Sequence, residues 1–304
     1  MSRFIKNIFL FAFVFVIAYP ILIFLTEYLS IPQSYKPNLK FSRDGHLFTR
    51  INEAKSLTND IDILFLGSSH SYRGFDPRNF HGKKTFNLGS SAQTPIQTNV
   101  LLNRYLEKLN PKLIIYEVYP AYTFSSDGVE SSLDLISNDK NDFYSFRMAL
   151  ELNNIDTYNT LSYMCISNLL NLNKTYEPIK IDNKTYILGG YEETDISFNK
   201  STDYLKQKWT FKDNQIKMFN QNIMLLRKKN IRTILVFAPI SQRLYNSYTN
   251  NNQVDSIFNT YNLEYYNFNK LINLNDSLDF LDGGHLNQNG VNKFNQKLIE
   301  ILKL

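Results

Sequence analysis

Two short segments near opposite ends of the sequence contain the residue types of nucleophilic acyl chemistry. The first, Gly67-Ser68-Ser69-His70, follows a near-continuous apolar run, and its glycine allows the tight turn on which a reactive hydroxyl is presented. The second, Asp282-Gly283-Gly284-His285, contains a candidate general base with a carboxylate three residues upstream that can orient its ring. These residues predict a catalytic triad of Ser69, His285 and Asp282.

Each segment also has a purely structural explanation. Small polar residues are ordinary loop formers after a strand, so the serines alone are weak evidence. A glycine-rich turn before a helix can leave His285 as a solvated loop residue. Catalysis is favoured because both segments occur in one chain, one at the start of the predicted fold and one at its end.

The elements that must position these segments alternate along the chain between apolar runs and amphipathic stretches. Strands alternating with helices predict a parallel sheet with helices on both faces. Functional side chains in such a sheet collect beyond the carboxyl ends of the strands, where Ser69 is expected. Strands are predicted at 61–66, 85–88, 112–119, 184–188, 233–237 and 264–268, and helices at 47–57, 98–109, 144–152, 157–172, 213–230, 254–261 and 289–302.

The alternation stops between about 121 and 211, where the sequence becomes aromatic and polar. We interpret this part as an inserted, mainly helical segment that forms a lid or a substrate-binding subdomain. The predicted organisation is a membrane helix at 1–29, a juxtamembrane linker at 30–60 stiffened by its prolines, and a catalytic domain at 61–304 that contains the insertion.

The N-terminal segment predicts a membrane anchor. The stretch from Asn7 to Thr26 carries no charged residue, and about twenty apolar residues span the ~30 Å hydrocarbon core. Arg3 and Lys6 precede it and Glu27 follows, which predicts a cytoplasmic N-terminus and an extracytoplasmic catalytic domain. A cleaved signal peptide is the alternative. The long apolar stretch and the lack of a small-x-small site favour an uncleaved single-pass anchor.

Composition argues against several other classes of protein. The formal net charge is +5, with lysine and arginine spread among acidic residues, so neither a basic stripe nor a zinc spacing supports nucleic-acid binding. No spacing of His, Cys and Asp suggests a metal site, and we predict neither metal nor cofactor. Cys165 is the only cysteine, so the chain cannot form an internal disulfide.

The two candidate segments resemble sequence blocks of the SGNH/GDSL hydrolases. Phe65-Leu66-Gly67-Ser68-Ser69 is similar to block I, normally Gly-Asp-Ser, and its last serine stands at the position of the nucleophile. Ser68 replaces the Asp, as in membrane-anchored relatives that act in teichoic acid D-alanylation. Asp282-x-x-His285-Leu286-Asn287 is similar to block V, which carries the acid and the base. The resemblance covers roughly 62–119 and 231–302. It implies an α/β, flavodoxin-like three-layer sandwich with a central parallel sheet, and ester or acyl-transfer chemistry.

The oxyanion hole that this resemblance implies departs from the family pattern. Residues 87–94 fall where block II lies, and its glycine corresponds to Gly89 or Ala92, depending on the alignment. The implied donors are the backbone N–H of Ser69 and that of Gly89 or Ala92. Block III, normally Gly-x-Asn-Asp, corresponds to 119–122 and lacks the asparagine. One oxyanion donor is therefore expected to be missing or supplied from elsewhere.

The anchor and the Ser/Asp-x-x-His pattern together resemble O-acetylation proteins of alginate-type exopolysaccharides, which work with a multi-spanning membrane acyltransferase. The resemblance implies an esterase or O-acyltransferase that acts on acyl groups, notably acetyl, of an envelope or secreted glycan. One alternative is a non-catalytic glycan-binding or assembly protein of the same fold. Another is a plain esterase of small acyl esters.

Other polar residues near the predicted site have both functional and structural explanations. His70 follows the nucleophile and could contact substrate or cap the next turn. Arg73 could bind an anionic group of the substrate or pair with Asp76. Asp76 precedes a proline and is expected to be a helix N-cap. Glu117 lies within a predicted buried strand and therefore requires a polar partner.

The remaining histidines, His46 and His81, are expected at the surface.

Overall fold

The computed structural model of the chain describes residues 2–27, 29, 45–58, 60–172, 175–200 and 203–304. Much of the predicted linker at 30–60, including both of its prolines, therefore lies outside the described residues. The chain divides into two compact units. One contains the N-terminal helix and 132–176, and the other contains 44–131 and 177–304.

Secondary structure follows the predicted alternation, with boundaries that differ by a few residues. The helices are α1 (Ser2–Thr26), α2 (Leu47–Ser56), α3 (Ser69–Tyr72), α4 (Pro95–Leu109), α5 (Val129–Asn138), α6 (Phe143–Leu152), α7 (Ile155–Leu169), α8 (Asp213–Lys228), α9 (Gln242–Ser247), α10 (Asn251–Asn259), α11 (Phe268–Leu271) and α12 (Gln288–Leu302). The strands are β1 (Ile63–Leu66), β2 (Thr85–Asn87), β3 (Leu113–Glu117), β4 (Lys180–Ile181), β5 (Lys184–Ile187), β6 (Tyr191–Thr194), β7 (Arg232–Phe237) and β8 (Glu264–Asn267).

The larger unit is built on a parallel sheet with the strand order β2-β1-β3-β7-β8. Numbered along the chain, these strands have the order 2-1-3-4-5 of flavodoxin-like sheets. The order reverses at β1, whose Leu64 lies between Phe86 of β2 and Ile114 of β3. Ligands bind beyond the carboxyl ends of the strands at such a reversal, and β1 leads directly into Ser69. The predicted α/β class is confirmed.

Helices cover both faces of this sheet, as predicted. On one face, Tyr116 of β3 contacts Phe219 of α8 with ring centroids 5.1 Å apart, and α4 packs beside α8. Strands buried on both faces have near-continuous apolar sequences, which explains the runs found in the sequence. The cluster on the other face comprises Ile63, Phe65, Ile115, Ile234 and Val236 of the sheet, with Val291, Phe294, Leu298 and Leu302 of α12.

The segment predicted as an insertion contains three helices, α5 to α7, and a small antiparallel sheet in the order β4-β5-β6. The sequence predicted α6, α7 and β5 but missed α5, β4 and β6. β4 has only two residues, and both short strands have polar sequences, so periodicity cannot reveal them. The helices belong to the smaller unit from Ser132 onward, whereas the sheet belongs to the larger one.

The N-terminal helix α1 is long and apolar enough to cross a membrane over Arg3–Thr26. Its residues 3–17 are exposed, whereas α7 packs against its second half. There the Tyr19 hydroxyl donates a hydrogen bond to Asn159, and Phe24 stacks on Tyr163 with ring centroids 5.4 Å apart. The length and composition of α1 suit a single-pass anchor, and its orientation stays a prediction.

Candidate active site

Ser69 is the first residue of α3, immediately beyond the carboxyl end of β1. Ser68 is the N-cap, and its hydroxyl accepts a hydrogen bond from the backbone N–H of His70. Gly67 has φ of +139°, and a Cβ built on it would lie 2.7 Å from Cβ of Glu117. A glycine is required here because both the backbone conformation and the neighbouring strand exclude a side chain.

This requirement gives a prediction for Gly67→Ala. We expect the free energy of unfolding to fall by about 2 kcal/mol or more beyond that of Gly82→Ala, since overpacking is added to backbone strain. Gly82 is the matched control because its φ is +72° and a Cβ there meets no atom within 4 Å. Thermal or denaturant unfolding of both variants measures the difference. Equal losses would show that Gly67 is needed for its backbone alone.

The candidate base and acid lie in the loop before α12. His285 Nε2 is 2.8 Å from Oγ of Ser69, and His285 Nδ1 is 3.0 Å from Oδ2 of Asp282. Oδ1 of Asp282 accepts the backbone N–H groups of Gly284 and His285 at 2.7 and 2.8 Å. This geometry favours the tautomer with the proton on Nδ1, which leaves Nε2 to accept the Ser69 proton.

The ionised form of Asp282 is stabilised by this arrangement. Burial opposes ionisation, but the hydrogen bonds and charge of His285, with the two backbone N–H groups, outweigh it and lower the pKa of Asp282. The lowered pKa favours the carboxylate form of Asp282 at neutral pH. A carboxylate in this position can hold the His285 ring and stabilise the imidazolium that forms during proton transfer.

A pocket of about 580 Å³ opens beside Ser69 and His285. Its wall contains four tyrosines and, apart from the three triad candidates, five further polar side chains. Aromatic walls with a few polar groups are typical of small-molecule sites. The tyrosines are Tyr119, Tyr122, Tyr204 and Tyr248, and the further polar residues are Ser68, His70, Ser91, Glu130 and Gln207.

Of the two alternatives for the second oxyanion donor, the geometry favours Ala92. The backbone N–H of Gly89 donates to Oδ1 of Asn87 at 2.8 Å, so it cannot also point at a substrate. The occupied donor argues against Gly89, whose oxyanion role nevertheless stays a prediction. Ala92 lines the pocket and has φ of +47°, a conformation uncommon for alanine. The oxyanion roles of Ser69 and Ala92 stay predictions.

Arg73 does not pair with Asp76. Its guanidinium forms an ion pair with Glu192 at 2.9 Å, while Asp76 pairs with Arg78 at 2.6 Å. The prediction of an Arg73–Asp76 pair was wrong because residue 192 brings a closer carboxylate from β6. Asp76 does cap a short 3₁₀ helix that begins at Pro77, as predicted. Arg73 does not line the main pocket, but it lines a small cavity together with Ser69 and His285, so its contact with substrate stays a prediction.

His70 lines the pocket but is largely buried. Its ring lies between Tyr119 and His285, with centroid distances of 4.0 and 4.8 Å. Its Nδ1 is 3.3 Å from Oγ of Ser68. His70 therefore contacts the candidate base, whereas contact with substrate stays a prediction.

Two buried polar residues have partners that could not be predicted from the sequence. His46, expected at the surface, is fully buried, and its Nδ1 is 2.8 Å from Oε2 of Glu192. That prediction was wrong because its partner lies 146 residues away in the sequence. Glu117 has its required partner in Ser68, and the only signal for this pair was a glutamate in an apolar strand. His81 is exposed, as predicted.

No cluster of three potential metal ligands occurs within the described part of the chain.

Comparison with known proteins gives only distant similarities. No family model matches the sequence, and no curated protein matches it. A solved GDSL-like lipase from Bacteroides thetaiotaomicron is 12% identical, with a TM-score of 0.41 over 85% of this chain and 98% of that one. A proposed acylhydrolase from Bacteroides fragilis is 12% identical, with a TM-score of 0.37 over 86% and 99% of the two chains. At these TM-scores neither similarity assigns a fold or an activity. The fold of this chain follows from its strand order.

Proposed function

We propose that the protein is a membrane-anchored serine esterase or O-acyltransferase of the SGNH type. The observation that carries the proposal is the continuous hydrogen-bonded arrangement of Ser69, His285 and Asp282 at the mouth of the pocket. A hydroxyl, an imidazole and a carboxylate in this order are the components of nucleophilic acyl transfer.

In the proposed reaction, Oγ of Ser69 attacks the acyl carbon while Nε2 of His285 takes its proton. The backbone N–H groups of Ser69 and Ala92 stabilise the oxyanion of the tetrahedral intermediate. His285 then protonates the leaving group, and the acyl group stays on Ser69 as an ester. In the second half, His285 takes a proton from the acceptor hydroxyl as its oxygen attacks this ester. The bond from the acyl carbon to Oγ of Ser69 then breaks, and His285 returns the proton to this oxygen. The acceptor is a glycan hydroxyl in the transferase and water in the esterase.

The proposed substrate is an acyl group, notably acetyl, on an envelope or secreted glycan. Four tyrosines line the pocket, and their flat faces suit the apolar faces of sugar rings. The proposed partner is a multi-spanning membrane acyltransferase that delivers the acyl group. The proposed location is the extracytoplasmic side of the membrane, with α1 as the anchor.

One observation favours the alternative of a non-catalytic glycan-binding or assembly protein. The pocket wall at 119–122 offers tyrosine rings and no asparagine, so the side-chain oxyanion donor of block III is absent from that position. Losing one such donor typically slows acyl transfer by about 10²–10³-fold. Slow chemistry is therefore expected even if the triad works.

The deciding experiment is labelling of the detergent-solubilised full chain with a fluorophosphonate probe, followed by peptide mass spectrometry. Labelling of Ser69 supports the catalytic proposal. Turnover of p-nitrophenyl acetate with and without a deacetylated glycan then separates the two reactions, because only a transferase produces acetylated glycan. An unlabelled protein that binds glycan and shows no turnover would establish the non-catalytic alternative.

A further inference from the structure

A chain of three buried polar side chains lies directly beneath the Ser69 turn and has no part in the triad. Glu117, fully buried at the end of β3, places Oε2 3.1 Å from the backbone nitrogen of Ser68 and 3.0 Å from its hydroxyl. The same hydroxyl is 3.3 Å from Nδ1 of His70. Oε1 of Glu117 accepts the backbone N–H of Tyr119. The carboxyl group is thus held by two backbone N–H groups, and its remaining interaction is with the Ser68 hydroxyl.

His70, at the far end of this row of three side chains, contacts the candidate base. The His70 ring stacks on the His285 ring with an interplanar angle of 24°. A Cβ built on Gly284 would lie 3.6 Å from Nε2 of His70, so this atom faces the loop that carries His285. One end of the chain therefore holds the backbone of the nucleophile turn, and the other end supports the base.

The Ser68 hydroxyl has one proton, so Glu117 determines the direction of the two hydrogen bonds between side chains, that of Glu117 with Ser68 and that of Ser68 with His70. When Glu117 is ionised, Ser68 donates to it, and His70 must carry its proton on Nδ1 to donate to Ser68. When Glu117 is protonated, it donates to Ser68, Ser68 donates to Nδ1 of His70, and the imidazole proton is on Nε2.

The two states are connected by a balanced transfer of protons. On ionisation, the Oε2 proton of Glu117 moves to Oγ of Ser68, and the Ser68 proton moves to Nδ1 of His70. The Nε2 proton of His70, which lies on a buried nitrogen beside Gly284, leaves the three side chains for solvent water. Together the three side chains lose one proton. Glu117 gains the negative charge, and His70 remains neutral in its other tautomer.

We propose that Glu117, Ser68 and His70 form a proton-sharing chain that sets the tautomer of His70 and thereby positions both the Ser69 turn and the His285 ring. Glu117 is then a positioning residue for acyl transfer, which rests on the proposed function. The state of the chain is independent of that function and can be measured without any substrate.

The electrostatic surroundings support this assignment. Burial raises the pKa of Glu117 to about 7, opposed by its hydrogen bonds from Ser68 and Tyr119. Burial and then the charge of His285 hold the pKa of His70 well below its usual range, and Arg73 acts in the same direction. Asp282 and a hydrogen bond with the backbone of Gly284 oppose this shift. His70 therefore stays neutral while Glu117 changes its protonation near neutral pH.

The direct test is nitrogen-15 NMR of histidine side chains in the full chain, with His70 assigned from the spectrum of His70→Asn. We expect the His70 proton to move from Nε2 to Nδ1 as the pH rises through about 7. Ser68→Ala breaks the link and removes this switch. The matched control, Glu53→Gln, alters another glutamate that accepts a backbone N–H and a hydroxyl, and it leaves the switch unchanged. One His70 tautomer from pH 5.5 to 8.5 in the wild type would overturn the proposal.

The second readout is p-nitrophenyl acetate turnover as a function of pH. Gln at 117 must turn its NH₂ group toward one of the two backbone donors, so we expect kcat of Glu117→Gln to fall about tenfold with KM nearly unchanged. The pH profile of kcat for Glu117→Gln should also lack the ionisation near pH 7 that we expect in the wild type. The melting temperature of Glu117→Gln is also expected to depend less on pH. In the wild type, the folded state binds the Glu117 proton more tightly than the unfolded state, which stabilises the fold at low pH. This stabilisation is lost as the pH rises toward 7.

The two failures are distinguishable. A wild type with turnover whose pH profile and kcat are unaffected by Glu117→Gln would overturn the positioning role and leave the proposed function standing. A wild type without turnover or probe labelling would contradict the proposed function. The NMR titration would still decide whether the proton-sharing chain exists.

Discussion

Replacing Ser69 with alanine is expected to reduce kcat for p-nitrophenyl acetate by about 10⁴-fold or more, to the level of the uncatalysed reaction plus residual stabilisation by the oxyanion hole. The reason is that Ser69 Oγ is the atom that His285 Nε2 can deprotonate at 2.8 Å. Fluorophosphonate labelling disappears in the same variant. Initial rates and gel fluorescence of the detergent-solubilised full chain measure both effects.

A hydroxyl outside the pocket provides the control for this prediction. Ser256 on α10 is exposed and bonds only within its own helix, to the carbonyl oxygen of Asn252. Ser256→Ala should keep wild-type turnover and labelling. Full activity in Ser69→Ala would mean that another nucleophile acts and that the contact with His285 is structural.

The second large effect is expected for Asp282→Asn, with a loss of kcat of about 10⁴-fold. Oδ1 of the asparagine can still accept the N–H groups of Gly284 and His285, so the loop keeps its shape. Its NH₂ group, however, faces Nδ1 of His285, which can then only accept. The imidazole proton moves to Nε2, and His285 can no longer take the proton of Ser69. Rates compared with the melting temperature distinguish this change of tautomer from unfolding.

Asp276→Asn is the control outside the pocket because Asp276 also accepts two backbone N–H groups, from Gln242 and Arg243, one on each carboxylate oxygen. It should lower stability, because the new NH₂ group meets one of these donors, and change activity little. The wild-type carboxylate of Asp282 also contributes stability above its unfolded pKa that is lost as the pH falls through its lower folded pKa. If Asp282→Asn kept wild-type kcat, the carboxylate would be a structural cap of the loop.

The sheet could be predicted because its strands are buried on both faces. β1 and β3 are apolar over almost their whole length, and a parallel strand leaves no other place for such a run. α5 could not be predicted, because its buried residues Ser131, Ser132 and Asp134 are polar and therefore give no apolar helical pattern in the sequence. Their burial depends on tertiary packing, which local patterns do not encode.

Part of the candidate site could likewise be predicted from the sequence, and part could not. Gly67 and the loop at 282–285 are local features, so the sequence located the candidate nucleophile, base and acid. The partners of Glu117, His46 and Arg73 come from segments 49 to 146 residues away and could not be read from spacing. The choice between Gly89 and Ala92 likewise depended on one side-chain orientation, that of Asn87.

The contact between Ser69 and His285 joins residues 216 positions apart. During synthesis, at about 5–20 residues per second, the nucleophile leaves the ribosome at least several seconds before its base. The base reaches its place only when α12 closes one face of the sheet, since the loop at 282–285 leads directly into that helix. An incomplete or C-terminally clipped chain would carry a serine without reactivity. In the proposed reaction, acyl chemistry would begin only when α12 has docked, so assembly of this unit and onset of activity would be a single event.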